Sequence, residues 1–135
     1  MSFKSPKKFT SFLEALQTAG VETNGSRRFW GGVTADDTIV VTAWTDHFTG
    51  TGFKITKPET RHGRLKDAWE LGRIAPGARV KLIMLRESGS STGGELGQRR
   101  GIKDAALLPG WWQVTQGPHE EQGWTRAVVE PVEAA

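Results

Sequence analysis

The sequence predicts an α+β protein: a small, mostly antiparallel, strongly bent sheet of about five or six strands, closed or nearly closed as a β-barrel, with an N-terminal helix and a short inserted helix. Three observations carry this. Short runs rich in β-branched residues recur between Gly- and Pro-containing turns, which favours a sheet over a helix bundle. Helical periodicity occurs at the N-terminus, and once more in a short segment near the middle. The length of 135 residues suits one domain, spanning 1–135, able to bury a core without disulfide or metal staples.

Residues 6–19 read as the first helix. Ser5-Pro6 offers a cap with proline in the first turn, while Ser11-Phe12-Leu13-Glu14 has capping-box spacing and marks an alternative start. Phe9, Phe12, Leu13 and Leu16 form its apolar face, and Gly20 suits the C-terminal cap. The barrel-like core then occupies 28–132. Residues 28–33 give a glycine-weakened strand. Thr38 to Thr45 is the best strand: Ile39, Val41 and Ala43 fall on one face, and Val40, Thr42 and Trp44 on the other. Gly50-Thr51-Gly52 reads as a hairpin turn with Phe53-Lys54-Ile55 returning, and Lys57-Pro58 ends that strand. Leu65 to Leu71 is the inserted helix. Pro76-Gly77 turns the chain into a strand from Arg79 to Leu85, apolar on both faces near its end. Residues 87–104 form a Gly/Ser-rich loop, expected to be mobile. Strands at Trp111–Val114 and Trp124–Val129 complete the sheet.

Composition excludes several function classes. With no cysteine, a thiolate nucleophile, a disulfide framework and cysteine-ligated zinc are ruled out. No apolar run approaches a membrane span, and the N-terminus lacks the apolar stretch of a signal peptide. A cytoplasmic setting without membrane contact is expected, and no cofactor motif is visible. Neither GxxxxGK[ST] nor GxGxxG after a strand occurs. Asp46-His47 and Glu59-x-x-His62 bring acids near bases but match no HExxH, HNH or serine-elbow pattern. They read as loop histidines, so catalysis through them is a third-ranked reading, no metal site is expected, and the chain is read as non-enzymatic.

Charge is uneven. Residues 54–86 hold nine Lys or Arg against three acids, whereas 116–135 hold Arg126 against four glutamates. Such asymmetry suggests one basic face toward an anionic partner. Six tryptophans accompany no tyrosine. Lys54, Lys57, Arg61, Arg64 and Lys66 can neutralise phosphates, and Arg99 and Arg100 sit where the long loop could clamp a strand. Of Trp111 and Trp112, alternation turns one ring outward as a stacking platform. Trp30 and Trp44 abut turns and suit a pocket mouth. These residues together form the candidate nucleic-acid-binding set. The alternative is a protein-binding or self-associating accessory or anti-defence domain, since tryptophan and arginine dominate interface hot spots.

Over residues 64–85 the chain resembles the PUA-like superfamily of EVE, ASCH, YTH and SRA domains. The resemblance lies in a short helix, then Ile74-Ala75-Pro76-Gly77-Ala78-Arg79-Val80, then a buried strand. The family's usual aspartate is replaced by Ala78. The resemblance implies a small mixed barrel that binds RNA or DNA and reads modified or flipped bases in an aromatic pocket. Trp30, Trp44 and Trp111 or Trp112 would be its walls, by residue type only.

Overall fold

A computed structural model describes residues 9–22, 31–58, 64–87 and 102–132. In chain order the elements are α1 (Phe12–Thr18), β1 (Gly32–Val33), β2 (Ile39–Trp44), a 3-10 turn (Thr45–His47), β3 (Phe53–Thr56), α2 (Arg64–Glu70), β4 (Arg79–Glu87), β5 (Ile102–Leu107), β6 (Trp112–Glu121) and β7 (Trp124–Pro131). The architecture is α+β and mostly strand.

The helices follow local rules. The α1 helix starts at the later of the two predicted caps: the Ser11 hydroxyl accepts from the Glu14 amide at 3.1 Å. Ahead of it the chain is extended, and Thr10 forms an antiparallel bridge to Ala105; residues 6–8 lie outside the described residues. Both helices stop in the same way. The amide of Gly20 donates to Gln17 and that of Val21 to Leu16; likewise Gly72 donates to Trp69 and Arg73 to Ala68. This is the Schellman pattern, which requires the left-handed backbone that glycine adopts at φ 93° and 76° here.

Seven strands form one mixed sheet in the order β1-β2-β4-β6-β7-β3, with β5 also on β4. Five of its six ladders are antiparallel; β2 and β4 run parallel. Among the described residues no ladder joins β1 to β3, so the sheet is open where closure into a barrel was expected. The predicted hairpin through Gly50–Gly52 is also corrected. Both edges of β2 are taken, by β1 and β4. The returning segment therefore pairs with β7 instead, while the turn itself is closed by the Phe48–Phe53 bridge and by the Thr49 amide donating to the Gly52 carbonyl at 2.7 Å. Of the long loop predicted for 87–104, residues 88–101 lie outside the described residues; 102–104 are already strand β5.

Two cores sit on opposite faces of β2 and β4. Ile39, Val41 and Ala43 join Val80, Leu82 and Met84 against α2 and the β3-β7-β6 strands. Val40, Trp44, Ile83 and Leu85 pack against Phe12, Ala15 and Leu16 of α1. Burial on both faces explains the continuous apolar run of β2, whose six residues are all buried.

Candidate nucleic-acid interface

The basic residues reach the surface on two adjoining elements. On β3, Phe53 and Ile55 point into the core, so strand alternation turns Lys54 outward. Lys57 follows β3, fixed by its amide donating to the Thr125 carbonyl at 2.8 Å. On α2, Leu65, Ala68 and Trp69 are buried, which leaves Lys66 and Glu70 together on one flank at i, i+4. Lys57 Nζ lies 3.6 Å and Lys66 Nζ 3.7 Å from the same Glu70 carboxylate oxygen. These residues line a cleft of about 240 Å³ with Pro58, Gly123 and Thr125. Two ammonium groups therefore share one carboxylate. Arg64 is exposed but stands two residues from Lys66, about 200° around the helix, so it faces away from this cleft.

Lys54 opens onto a second cleft of about 380 Å³, lined by Asp46, His47, Phe48, Thr49, Lys54 and Arg126. Here Glu121 bridges two cations: Lys54 Nζ lies 2.8 Å from one oxygen and Arg126 Nη1 3.3 Å from the other. The Lys54 hydrogen bond, reinforced by the charges of Lys54 and Arg126, holds the Glu121 carboxyl below its usual range. Arg126 is 5% exposed, the one buried charged residue among those described.

The tryptophans do not converge. Trp44 has no exposed surface and belongs to the α1-side core, and Trp112 lies in the other core. They therefore serve packing on opposite faces of the sheet and wall no open pocket. Alternation correctly separated Trp111 from Trp112: Trp111 is 39% exposed. Its ring already carries the Lys81 ammonium, 4.2 Å from the centroid, and Lys81 also donates to the Gly110 carbonyl at 3.1 Å. Trp30, Arg61, Arg99 and Arg100 lie outside the described residues. Among the described residues the exposed large apolar side chains are Phe48, Leu71 and Trp111, carried by three different segments of the chain.

Sequence reasoning missed Arg126, Glu121 and His119. A signal existed for the first: Ala127 and Val129 alternate inward, so Arg126 had to share the outward face with Lys54's neighbours. Comparison with protein-family models, with curated proteins and with solved structures finds no match to this chain. Among the described residues no three His, Asp or Glu side chains gather as a metal site, and no helix is long and apolar enough to cross a membrane.

Proposed function

We propose that the protein is a nucleic-acid-binding module that grips the sugar–phosphate backbone at the cleft between α2 and the β6–β7 turn. The observation that carries this is the convergence of Lys57 and Lys66 from separate elements on one cleft with only Glu70 between them. The cleft keeps a net positive charge, and a phosphate entering it competes with a single, half-exposed carboxylate. Surface pairs of this kind are worth about 0–1 kcal/mol, so exchanging one for a phosphate costs little. Counterion release from the nucleic acid then drives association. Trp111 stands about 20 Å away, at the far end of β7, beside Trp112, which pairs with Pro131. The backbone, and not a base, is what this cleft recognises.

The test is fluorescence anisotropy with short single-stranded RNA and DNA across a salt series. The Lys57→Ala, Lys66→Ala double variant should flatten the log–log salt slope by about 1.4, from two contacts at roughly 0.7 each, with little change in melting temperature. Absence of binding at low salt, or an unchanged slope in the double variant, rejects the proposal.

A further inference from the structure

The second cleft lies between two walls of different chemistry. Lys54 and Arg126 come from the neighbouring strands β3 and β7; Asp46, His47, Phe48 and Thr49 come from the 3-10 turn and the residues just after it. Lys54 pairs with Val128, two residues along from Arg126, so the two cations share one face of the sheet. The sheet wall therefore carries hydrogen-bond donors. The turn wall carries the exposed carboxylate of Asp46. Glu121 stands outside the lining and ties both cations, at 2.8 and 3.3 Å, which fixes the donor wall in place.

Phe48 adds an aromatic ring to the turn wall. It is 42% exposed, yet it is anchored to the core. Its backbone bridges Phe53, and its ring meets that of Phe53 at 5.2 Å between centroids, which in turn meets Trp112 at 5.8 Å. The turn behind it is tightened by the Thr49 hydroxyl, which donates to the Gly52 carbonyl and accepts from the Gly52 amide, each at 3.1 Å. Thr49 thus shapes the turn, and a flat ligand covering Phe48 meets a ring with little freedom left to lose. The cleft's volume of about 380 Å³ falls within the range of small-ligand pockets, about 300–1,000 Å³.

The charges around it are balanced: Lys54 and Arg126 against Asp46 and Glu121. A bare anion is best met by uncompensated positive charge, whereas a neutral, flat ligand with separate donor and acceptor edges suits one cationic and one anionic wall. Among the four bases, guanine alone has two adjacent N–H donors, which match a carboxylate, together with the adjacent acceptors O6 and N7, which match cationic donors. We infer that this cleft takes a guanine base. Its ring stacks on Phe48, its N1–H and N2–H donate to Asp46, and its O6 and N7 accept from Lys54 and Arg126. The inference rests on the nucleic-acid reading above and adds a base preference to it. Lys54 of this cleft and Lys57 of the first are three residues apart, about 10 Å along the chain. Because β3 ends the strand order of the sheet, a single strand can pass around it with its backbone in one cleft and a base in the other.

The experiment measures fluorescence anisotropy of the full-length chain, at one fixed low salt concentration, with a short oligouridylate and with the same strand carrying one central guanine; oligothymidylate counterparts supply the DNA arm. The guanine strand should bind at least about fivefold more tightly. Inosine, which lacks the N2 amino group, and 7-deazaguanine, which lacks N7, should each remove most of that preference. Asp46→Ala should bind guanine and inosine strands alike. Phe48→Leu, which keeps an apolar contact on Phe53, should shrink the guanine preference about fivefold or more. Asp46 is exposed, so its variant retains the fold and decides the matter alone if Phe48→Leu does not fold. Equal affinity for strands with and without guanine, or a preference unchanged in either folded variant, overturns the guanine site and leaves backbone binding standing. Failure of every strand to bind rejects the nucleic-acid reading, and the guanine site with it.

Discussion

Replacing Trp44 with alanine separates a packing role from a binding role. The side chain is fully buried, packed with Phe12, Leu16, Ile83 and Leu85 in the core beneath α1. A tryptophan of this kind buries 150–250 Å², which at about 25 cal/mol per Å² is worth roughly 4–6 kcal/mol of transfer free energy. Alanine retains part of that, and the cavity left behind adds a cost, so the expected loss is about 3–5 kcal/mol. For 135 residues the unfolding entropy near the midpoint is about 0.28 kcal/mol/K, from roughly 2.1 cal/mol/K per residue. A loss of 4 kcal/mol then lowers the melting temperature by about 14 °C. Urea denaturation at 25 °C gives the free energy and thermal unfolding gives the midpoint. At temperatures where the variant is folded, its affinity for nucleic acid should match the parent's. Stability within about 1 kcal/mol of the parent, or a folded variant with weakened binding, would refute the core assignment.

Two further perturbations probe close approach and ion pairing. A Cβ at Gly52 would sit 2.0 Å from the Val129 carbonyl oxygen and 2.8 Å from Glu130 Cγ; Gly52→Ala should therefore push β3 off β7 and cost about 1–3 kcal/mol or more in a urea titration, and an unchanged midpoint would contradict that contact. The Arg86 hydrogen bonds, at 2.6 and 2.5 Å, hold the Asp104 carboxyl below its ordinary 3.8, as Lys54 holds Glu121 below 4.5. Both groups add stability that is fully present above those ordinary values and is lost as pH falls through the lower folded-state ones. Stability should decline below about pH 4.5, and Asp104→Asn should flatten part of that decline; a variant profile parallel to the parent's would show that the pair contributes nothing.

Legibility in the sequence followed the hydrophobic pattern. The β2 strand declared itself because both its faces are buried and β-branched, and the division of Ile39, Val41 and Ala43 from Val40 and Trp44 matches the two cores. The α2 helix and the turn at Pro76-Gly77 followed from local signals, with Gly77 at φ 96°. What escaped notice lacks such a pattern. The β5 strand, Ile-Lys-Asp-Ala-Ala-Leu, draws its order from β4 and from the Thr10 bridge rather than from its own apolar content. The outer half of β6, Thr115 to Glu121, is largely exposed, so no alternation marks it, and Gly117-Pro118 reads as a turn. Partner choice was equally hidden, because nothing in β2 specifies a parallel neighbour some forty residues on. The site suffered for the same reason. A basic stretch is visible in one dimension, but Lys54 meets Glu121 across 67 residues, and only pairing reveals which charges are already answered. Trp44 was misjudged because a tryptophan beside a polar turn looks the same whether its ring points outward or into a core.

The β4 strand belongs to both halves of the molecule. Its first two residues pair with β6, and from Lys81 onward it pairs with β2, then also with β5. Neither half is a detachable module, because each borrows its central member from the same nine residues. Splitting the chain on either side of β4 would give one fragment an unsupported pair of strands, and two-stranded pieces are marginal in water. The amides of Leu82 to Leu85 are therefore the natural site of slowest hydrogen exchange, opening only when the whole molecule does. Local breathing at the hairpin tip or at the α1 side leaves that shared strand closed, so the two cores unfold as one cooperative body.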